Sequence, residues 1–246
     1  MIFLSLKGFF KEIFFAETIL YFDIFRLTRY YYPRKNPLIG FVKQKVYTAY
    51  IDISIDSKIF FSNFKKNTRY EINRAKREGI VFEVEEDLEL FYNYYNEFAK
   101  SKNLELLRFE TLLKYKESMI ITKAIKDNSI LSMHVHLYNK ELAILLYSAS
   151  QFRNIEDNRT RNLIGYANRF LHFEEMLYFK KMGCSIYDFG GYAYKTEDKI
   201  AKRINQFKDS FACIPKRRYI FTSWTLSGLV FLKSIINRVG LKTKKL

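Results

Sequence analysis

The chain has 246 residues, 48% of them hydrophobic, with 24 Phe and 19 Tyr but only nine Gly and three Pro. That apolar content is enough for a packed core, which excludes a disordered or low-complexity protein and leaves length for one large domain or two small ones. The net charge of +16 points to an anionic partner such as nucleic acid, an anionic membrane surface or a phosphorylated small molecule, and equally serves to keep an aromatic-rich surface in solution.

The N-terminal stretch MIFLSLKGFFKEIFFAETILYFDIF is apolar but carries Lys7, Lys11, Glu12, Glu17 and Asp23. A membrane-spanning helix needs about 20 mostly apolar residues, and no small-residue cleavage site follows, so neither a span nor a signal peptide is expected. Residues 1–40 are predicted instead as an amphipathic helical segment, packed on the core or lying on a membrane. KVYTAYIDIS (45–54) alternates and reads as a strand. In 62–79, Phe64, Thr68, Ile72 and Ala75 recur at helical spacing, with Lys66, Arg69, Asn73, Lys76 and Arg77 as a basic stripe and Gly79 as the stop. IVFEVEE is a second strand. Residues 87–103 form a predicted helix capped by Asp87, and RFETLLKYKESM another.

SILSMHVHLY (129–138) and LAILLYSAS (142–150) alternate on either side of an NKE turn, a predicted hairpin with His134 and His136 on one face. NLIGYANRFLHFEEMLYFKKMG (162–183) is a predicted helix, CSIYDFGG a short buried strand, and KTEDKIAKRINQFKDSFA a helix with Ile200, Ile204, Phe207 and Phe211 turned inward. KRRYIFTSW closes the series, and 223–246 reads as a basic amphipathic helix. The order predicts an α/β domain with a mixed sheet over 41–222, flanked by the two terminal helical segments. A hairpin followed by a helix and a strand is also the element order at the core of GNAT acyltransferases.

Several places could carry chemistry. A helix that starts after a strand collects free N–H groups and suits an anion. RTRNLIGYANR (159–169) is such a start, with Arg159, Arg161 and Gly165 able to meet a pyrophosphate; close helix packing at Gly165 and solvated arginines explain the same residues. Asp188 ends a strand before Gly190-Gly191, where a ligand or a neighbouring backbone can pass. That pair lacks the spacing of a phosphate loop. His134 is placed for a general base, or for a hydrogen-bonded structural role. Cys184 and Cys213 are too few for a disulfide framework, lack a CxxC spacing and have no base partner fixed by sequence, so a cysteine nucleophile is disfavoured and the cytoplasm is the expected location. Ser148 and Ser150 lack the nucleophile elbow of hydrolases. Three histidines without clustered carboxylates or thiols predict no metal site.

NTRYEINRAKREGI, MHVHLYNKELAILLYSAS, IGYANRFLHFEEMLYFKKMGCSIYDFGG and INQFKDSFA occur in that order. Together they resemble the Fem-like acyltransferases, GNAT-superfamily relatives of the enzymes that add amino acids to peptidoglycan precursors. The resemblance covers about residues 45–222 and implies a GNAT fold. Phe207-Lys208 is similar to a pair near the reaction centre, where the lysine stabilises developing negative charge; Asp188, Gly190 and Gly191 are similar to a strand end beside the acyl channel.

Carried over to this chain, the catalytic group is Lys208, Asp188 and His134. The donor site is Arg161, Asn162, Gly165, Ala167 and Asn168, and the acceptor side is Phe207, Gly190, Gly191, Ser148 and Arg69. The implied reaction moves an acyl group, acetyl first, from acyl-CoA to an amine on a sugar nucleotide or cell-envelope glycan precursor, with no metal. Asn162 stands where the family's donor motif has a longer amide or basic residue, which keeps aminoacyl-tRNA open as the donor. The family's peptidoglycan enzymes resemble two tandem domains, whereas this chain has length for one, which implies a smaller acceptor or a homodimer. FKDSFA has Ala212 where a glycine usually stands, so a different turn is expected there. A non-catalytic module binding the inner face of an anionic membrane through its termini is the reading from another class.

Overall fold

Aspartates start four helices: Asp56, Asp87, Asp157 and Asp198 each accept backbone N–H groups of the following turn, supplying partners that a helix start otherwise lacks. The computed structural model describes residues 2–6, 10–37, 39–151, 155 and 157–243. In chain order the elements are β1 (Ile2–Leu6), β2 (Phe10–Phe14), a 3-10 turn (Tyr21–Phe25), β3 (Leu27–Tyr31), β4 (Phe41–Asp52), α1 (Ser57–Asn63), α2 (Lys66–Arg77), β5 (Val81–Glu85), α3 (Leu88–Ser101), α4 (Phe109–Tyr115), β6 (Met119–Lys126), β7 (Ser129–Tyr138), β8 (Leu142–Ser150), α5 (Asn158–Lys181), β9 (Ile186–Gly191), α6 (Lys199–Asp209), β10 (Ile214–Ser223) and α7 (Trp224–Thr243).

The chain divides into two compact units, Tyr47–Lys216 and Met1–Val46 with Arg217–Leu246. In the first, the strand order is β4-β9-β8-β7-β6-β5. All neighbours there are antiparallel except β8 and β9, which run parallel. One core lies around α2, α5 and β9, built on Phe64, Ile72, Leu171, Met176, Phe179 and Phe211. A second is set around α3 and β7, with Phe91, Leu112, Met133 and Val135. Lys180 of α5 donates to the carbonyls of Ile53, Ser54 and Ile55 at 2.7–2.8 Å, tying off the end of β4.

The unit made of the chain ends corrects the expectation of a helical N-terminal segment. The described residues among 2–31 form β1, β2 and β3 with one 3-10 turn, in the order β1-β2-β3-β10-β4. The reason is periodicity. In LTRYY, Thr28 and Tyr30 are buried while their neighbours are partly exposed, a repeat of two that suits a strand and not a helix face. Ile13, Ala16, Tyr30 and Phe221 pack together as this unit's core. The C-terminal helix is present as α7; its basic end at 244–246 lies outside the described residues. No helix among the described residues is long and apolar enough to cross a membrane.

Two further departures occur in the larger unit. The helix expected over 62–79 is two helices, broken at Phe64-Lys65, where extended backbone lets Lys65 N–H reach the carbonyl of Ser210. On α6, Ile200 and Ile204 are 71% and 50% exposed, and the buried residues are Asn205 and Lys208. A polar residue turned inward must find partners there. Asn205 spans the backbone N–H and C=O of Ala193.

Left-handed backbone at Gly190 and Ala212, two of several such positions among the described residues, bears on the end of β9 and the turn after α6. Gly190 has φ +75°, and a Cβ there would sit 3.0 Å from the carbonyl oxygen of Leu145. Ala212 has φ +56°, so the turn after Phe211 keeps the geometry a glycine favours although an alanine occupies it. We expect Gly190→Ala to lower unfolding free energy by about 2 kcal/mol, through strain and contact together. Ala212→Gly should change it by no more than about 1 kcal/mol, in the stabilising direction. Urea unfolding of the two variants checks both; equal destabilisation would contradict this account.

Candidate active site

β8 and β9 pair only over Leu142–Ile144 with Ile186–Asp188. The partners of β8 on its other side continue to Ser150, so the two parallel strands part after Ile144 and Asp188. Open α/β sheets bind ligands beyond the carboxyl ends of such strands. At the same level the β7–β8 register slips: His136 faces Leu145 and Val135 faces Tyr147, leaving Leu146 as a bulge. A bulge bends the strand and re-aims its groups.

The end of β9 carries the residues singled out from the sequence. Asp188 is buried and accepts the N–H of Gly190 at 2.8 Å. Lys208, 8% exposed, reaches from α6 and donates to the carbonyl of Gly191. Burial lowers the Lys208 ammonium from its usual range, and the charge of Asp188 works against that shift. Phe207 packs on His172 and Phe189, with the Arg169 guanidinium 5.0 Å over its ring. Asp188, Gly190, Gly191, Phe207 and Lys208 are therefore gathered at one strand end.

Beneath it lies a group that the sequence did not assemble. The chain's three histidines all surround one carboxylate, that of Glu175 on α5. His134 Nδ1 lies 2.8 Å from Glu175 Oε1, Tyr187 donates to Oε2 at 2.6 Å, and the Thr122 hydroxyl donates to Oε1. His172 Nδ1 and His136 Nε2 stand 2.7 and 3.0 Å from the Tyr187 oxygen. His134 Nε2 lies 3.0 Å from Asn168, which also meets the Ser132 hydroxyl. All these side chains except Asn168 are buried.

Burial holds His136 down to about 4 and His172 down to about 3. Burial alone would raise Glu175. The pull of His134 and His136, with hydrogen bonds from His134 and His172, outweighs it and keeps the carboxyl well below the usual range. Donor atoms of His134, His172 and Glu175 lie within 4.8 Å of one another, a set that could hold a metal ion. The geometry is that of a hydrogen-bonded network in which Glu175 and Tyr187 satisfy the ring nitrogens that face them, while the buried His136 Nδ1 has no hydrogen-bond partner. The expectation that the histidines lie apart from carboxylates is corrected: β7 and α5 bring together what sequence spacing keeps apart.

Other expected site residues fall elsewhere. Arg69 donates to the carbonyls of Ser62 and Phe64, closing the end of α1. Ser148 is half-buried opposite His134. Gly165 has open space where a Cβ would be, and Ala167 is in the core. Asn162 lines a cleft of about 950 Å³ at the start of α5, with Arg159, Thr160, Tyr166 and Tyr70; Arg161 does not line it. The cleft's charges balance: Arg74, Lys126 and Arg159 against Glu78, Asp127 and Asp157. Glu78 pairs with both Arg74 and Lys126. Asp157 takes the N–H groups of Arg159 and Thr160.

No protein-family model matches the sequence, and no curated protein does. Solved structures do. FemX superposes with a TM-score of 0.66 at 11% identity, covering 94% of this chain and 85% of that one. The fold is Fem-like. The C-terminal domain of a putative lysylphosphatidylglycerol synthetase from Agrobacterium fabrum gives 0.58 at 14% identity, over 95% of this chain and 84% of that one. L-PGS from Bacillus licheniformis gives 0.55 at 12%, over 89% and 79%. The α/β mixed-sheet architecture expected from the order of elements is thus the one found. The likeness to FemX spans most of that chain, where the sequence led us to expect about half.

The network sets the acid sensitivity. His136 and His172 titrate lower folded than the roughly 6.5 of an unfolded histidine, and Glu175 lower than an unfolded glutamate. The unfolded chain therefore binds more protons below that pH, so their contribution is complete above about 6.5 and shrinks as pH falls. Each histidine should remove up to about 1.4 kcal/mol per pH unit between roughly 6.5 and its folded value. Urea unfolding at neutral and mildly acidic pH measures the slope. His136→Gln should flatten it, and an unchanged slope in that variant would contradict the assignment.

Proposed function

We propose that this protein is an acyltransferase that joins an activated acyl or aminoacyl group to an amine of a cell-envelope precursor. The observation that carries the reading is the placement of Lys208, a buried cation at the parting ends of two parallel strands, within a fold shared with FemX. A cation in a site of low polarity interacts strongly with charge that develops on a carbonyl oxygen. The amine nitrogen attacks the donor carbonyl, a C–N bond forms, the bond to the leaving oxygen or sulfur breaks, and the proton lost by the amine passes to that leaving atom, which departs as an alcohol or thiol. Lys208 stabilises the oxyanion in this scheme, and Asp188 orients the amine beside it. His134, buried with both ring nitrogens engaged, serves by positioning the strand and not by touching substrate.

For the donor, the balanced charges at the start of α5 and its Asp157 cap argue against a pyrophosphate held there, because such sites use free N–H groups and positive charge. They favour an aminoacyl ester, as on tRNA, over acyl-CoA. Two of the neighbours are described as a lysylphosphatidylglycerol synthetase domain and as L-PGS, and an aminoacyl donor accords with the first description. The amine of a sugar nucleotide or glycan precursor is the acceptor class we test first.

Lys208→Met keeps the buried stem and removes the charge. Turnover should fall by about 10²–10³ with the urea midpoint little changed. Equal turnover removes Lys208 from the mechanism. In thermal-shift measurements, aminoacyl-tRNA should raise Tm and acetyl-CoA should not, since only a ligand that binds the folded chain stabilises it. The reverse result restores the CoA reading.

A further inference from the structure

Charge is divided unevenly along the chain. Residues 1–46 and 217–246 hold 15 Lys and Arg against three Asp and Glu, so that unit carries +12 of the chain's +16. The same unit exposes large apolar side chains in one neighbourhood. Phe22 and Phe25 on the 3-10 turn are 80% and 76% exposed, Ile39 is 70% and Trp224 is 62%. They are neighbours by direct bonds: Trp224 N–H donates to the carbonyl of Gly40, the Thr225 hydroxyl to that of Ile24, and Gly40 lies against the Ile24 side chain. Leu20 and Tyr21 extend the patch.

The turn is built to hold these residues outward. Asp23, between Phe22 and Phe25 in sequence, is buried and bonded to Tyr30 and Arg26, and Tyr30 accepts the N–H of Leu20. From Trp224 the chain enters α7, where Leu229, Val230, Phe231 and Leu232 are exposed in succession. The segment 224–246 contains basic residues and no acidic one.

We propose that this unit docks on anionic lipid bilayers, placing Phe22, Phe25 and Trp224 at the headgroup level with α7 along the interface. Aromatic rings are favoured at that depth, and each nearby Lys or Arg adds attraction to an anionic surface. A contiguous exposed apolar patch on a soluble surface marks an interaction site. RNA shares the charge complementarity, but it offers nothing for Leu20, Ile39 and the aliphatic run of α7 to bury against; a bilayer does. This inference is independent of the catalytic reading, since it concerns lipid as a surface and involves none of the residues at the strand end.

Trp224 is the only tryptophan, so its fluorescence reports this surface alone. Full-length protein is mixed with vesicles of phosphatidylcholine, and with vesicles of equal parts phosphatidylcholine and phosphatidylglycerol. The anionic vesicles should carry the protein on flotation, shift Trp224 emission to the blue, and do both less well as salt rises. The double variant Phe22→Ser/Phe25→Ser, which changes exposed residues only, should lose at least about tenfold in vesicle partitioning. No flotation overturns the proposal. Flotation with unchanged Trp224 emission, or equal partitioning of the double variant, overturns it as well. If tRNA but not the anionic vesicles shifts Trp224 emission, the surface is a nucleic-acid site and the proposal is wrong.

Discussion

The Glu175 carboxylate is the point on which the larger unit depends. A buried charge is tolerated only when hydrogen bonds replace its water. Here the replacements come from β6 through Thr122, from β7 through His134 and from β9 through Tyr187. One side chain of α5 therefore fixes three strands against the helix. Removing a single partner leaves polar atoms buried without a match, whereas an apolar core would merely lose contact area. The strand end above inherits this rigidity, since Tyr187 and Asp188 are consecutive on β9.

That arrangement shows where sequence reading reached and where it stopped. Elements with a strong period were legible: the β7–β8 hairpin, α5 and β9 occur close to their expected bounds. Asp188, Gly190, Gly191 and Lys208 were legible as a group because a short stretch of chain holds them all. The network was not, because its members come from β6, β7, α5 and β9. One signal was present. Asn168, His172 and Glu175 follow at four and three residues, a polar line within an otherwise apolar helix face, and a polar line on a buried face must meet partners. The N-terminal strands are hidden for a different reason: scattered charges within an apolar run resemble an amphipathic helix until the two-residue alternation at Thr28 and Tyr30 is given weight.

α6 teaches a related lesson. Its isoleucines were assigned inward on hydrophobicity, yet the helix turns Asn205 and Lys208 to the interior. Hydrophobic periodicity assumes that burial of apolar surface decides the face. At this helix, backbone groups at the end of β9 and in the loop after it need donors and acceptors, and that demand decides instead. A face chosen against hydrophobicity is where a functional contact is to be sought.

The parallel contact of β8 with β9 also bears on the order of assembly. Antiparallel neighbours such as β7 and β8 meet across a three-residue turn, but Leu142–Ile144 reach Ile186–Asp188 only by way of α5. Short-range contacts form before distant ones, and a capped helix can form on its own residues. The strand end that gathers Asp188 and Lys208 is therefore held by contacts distant in sequence, and it depends on α5 being in place.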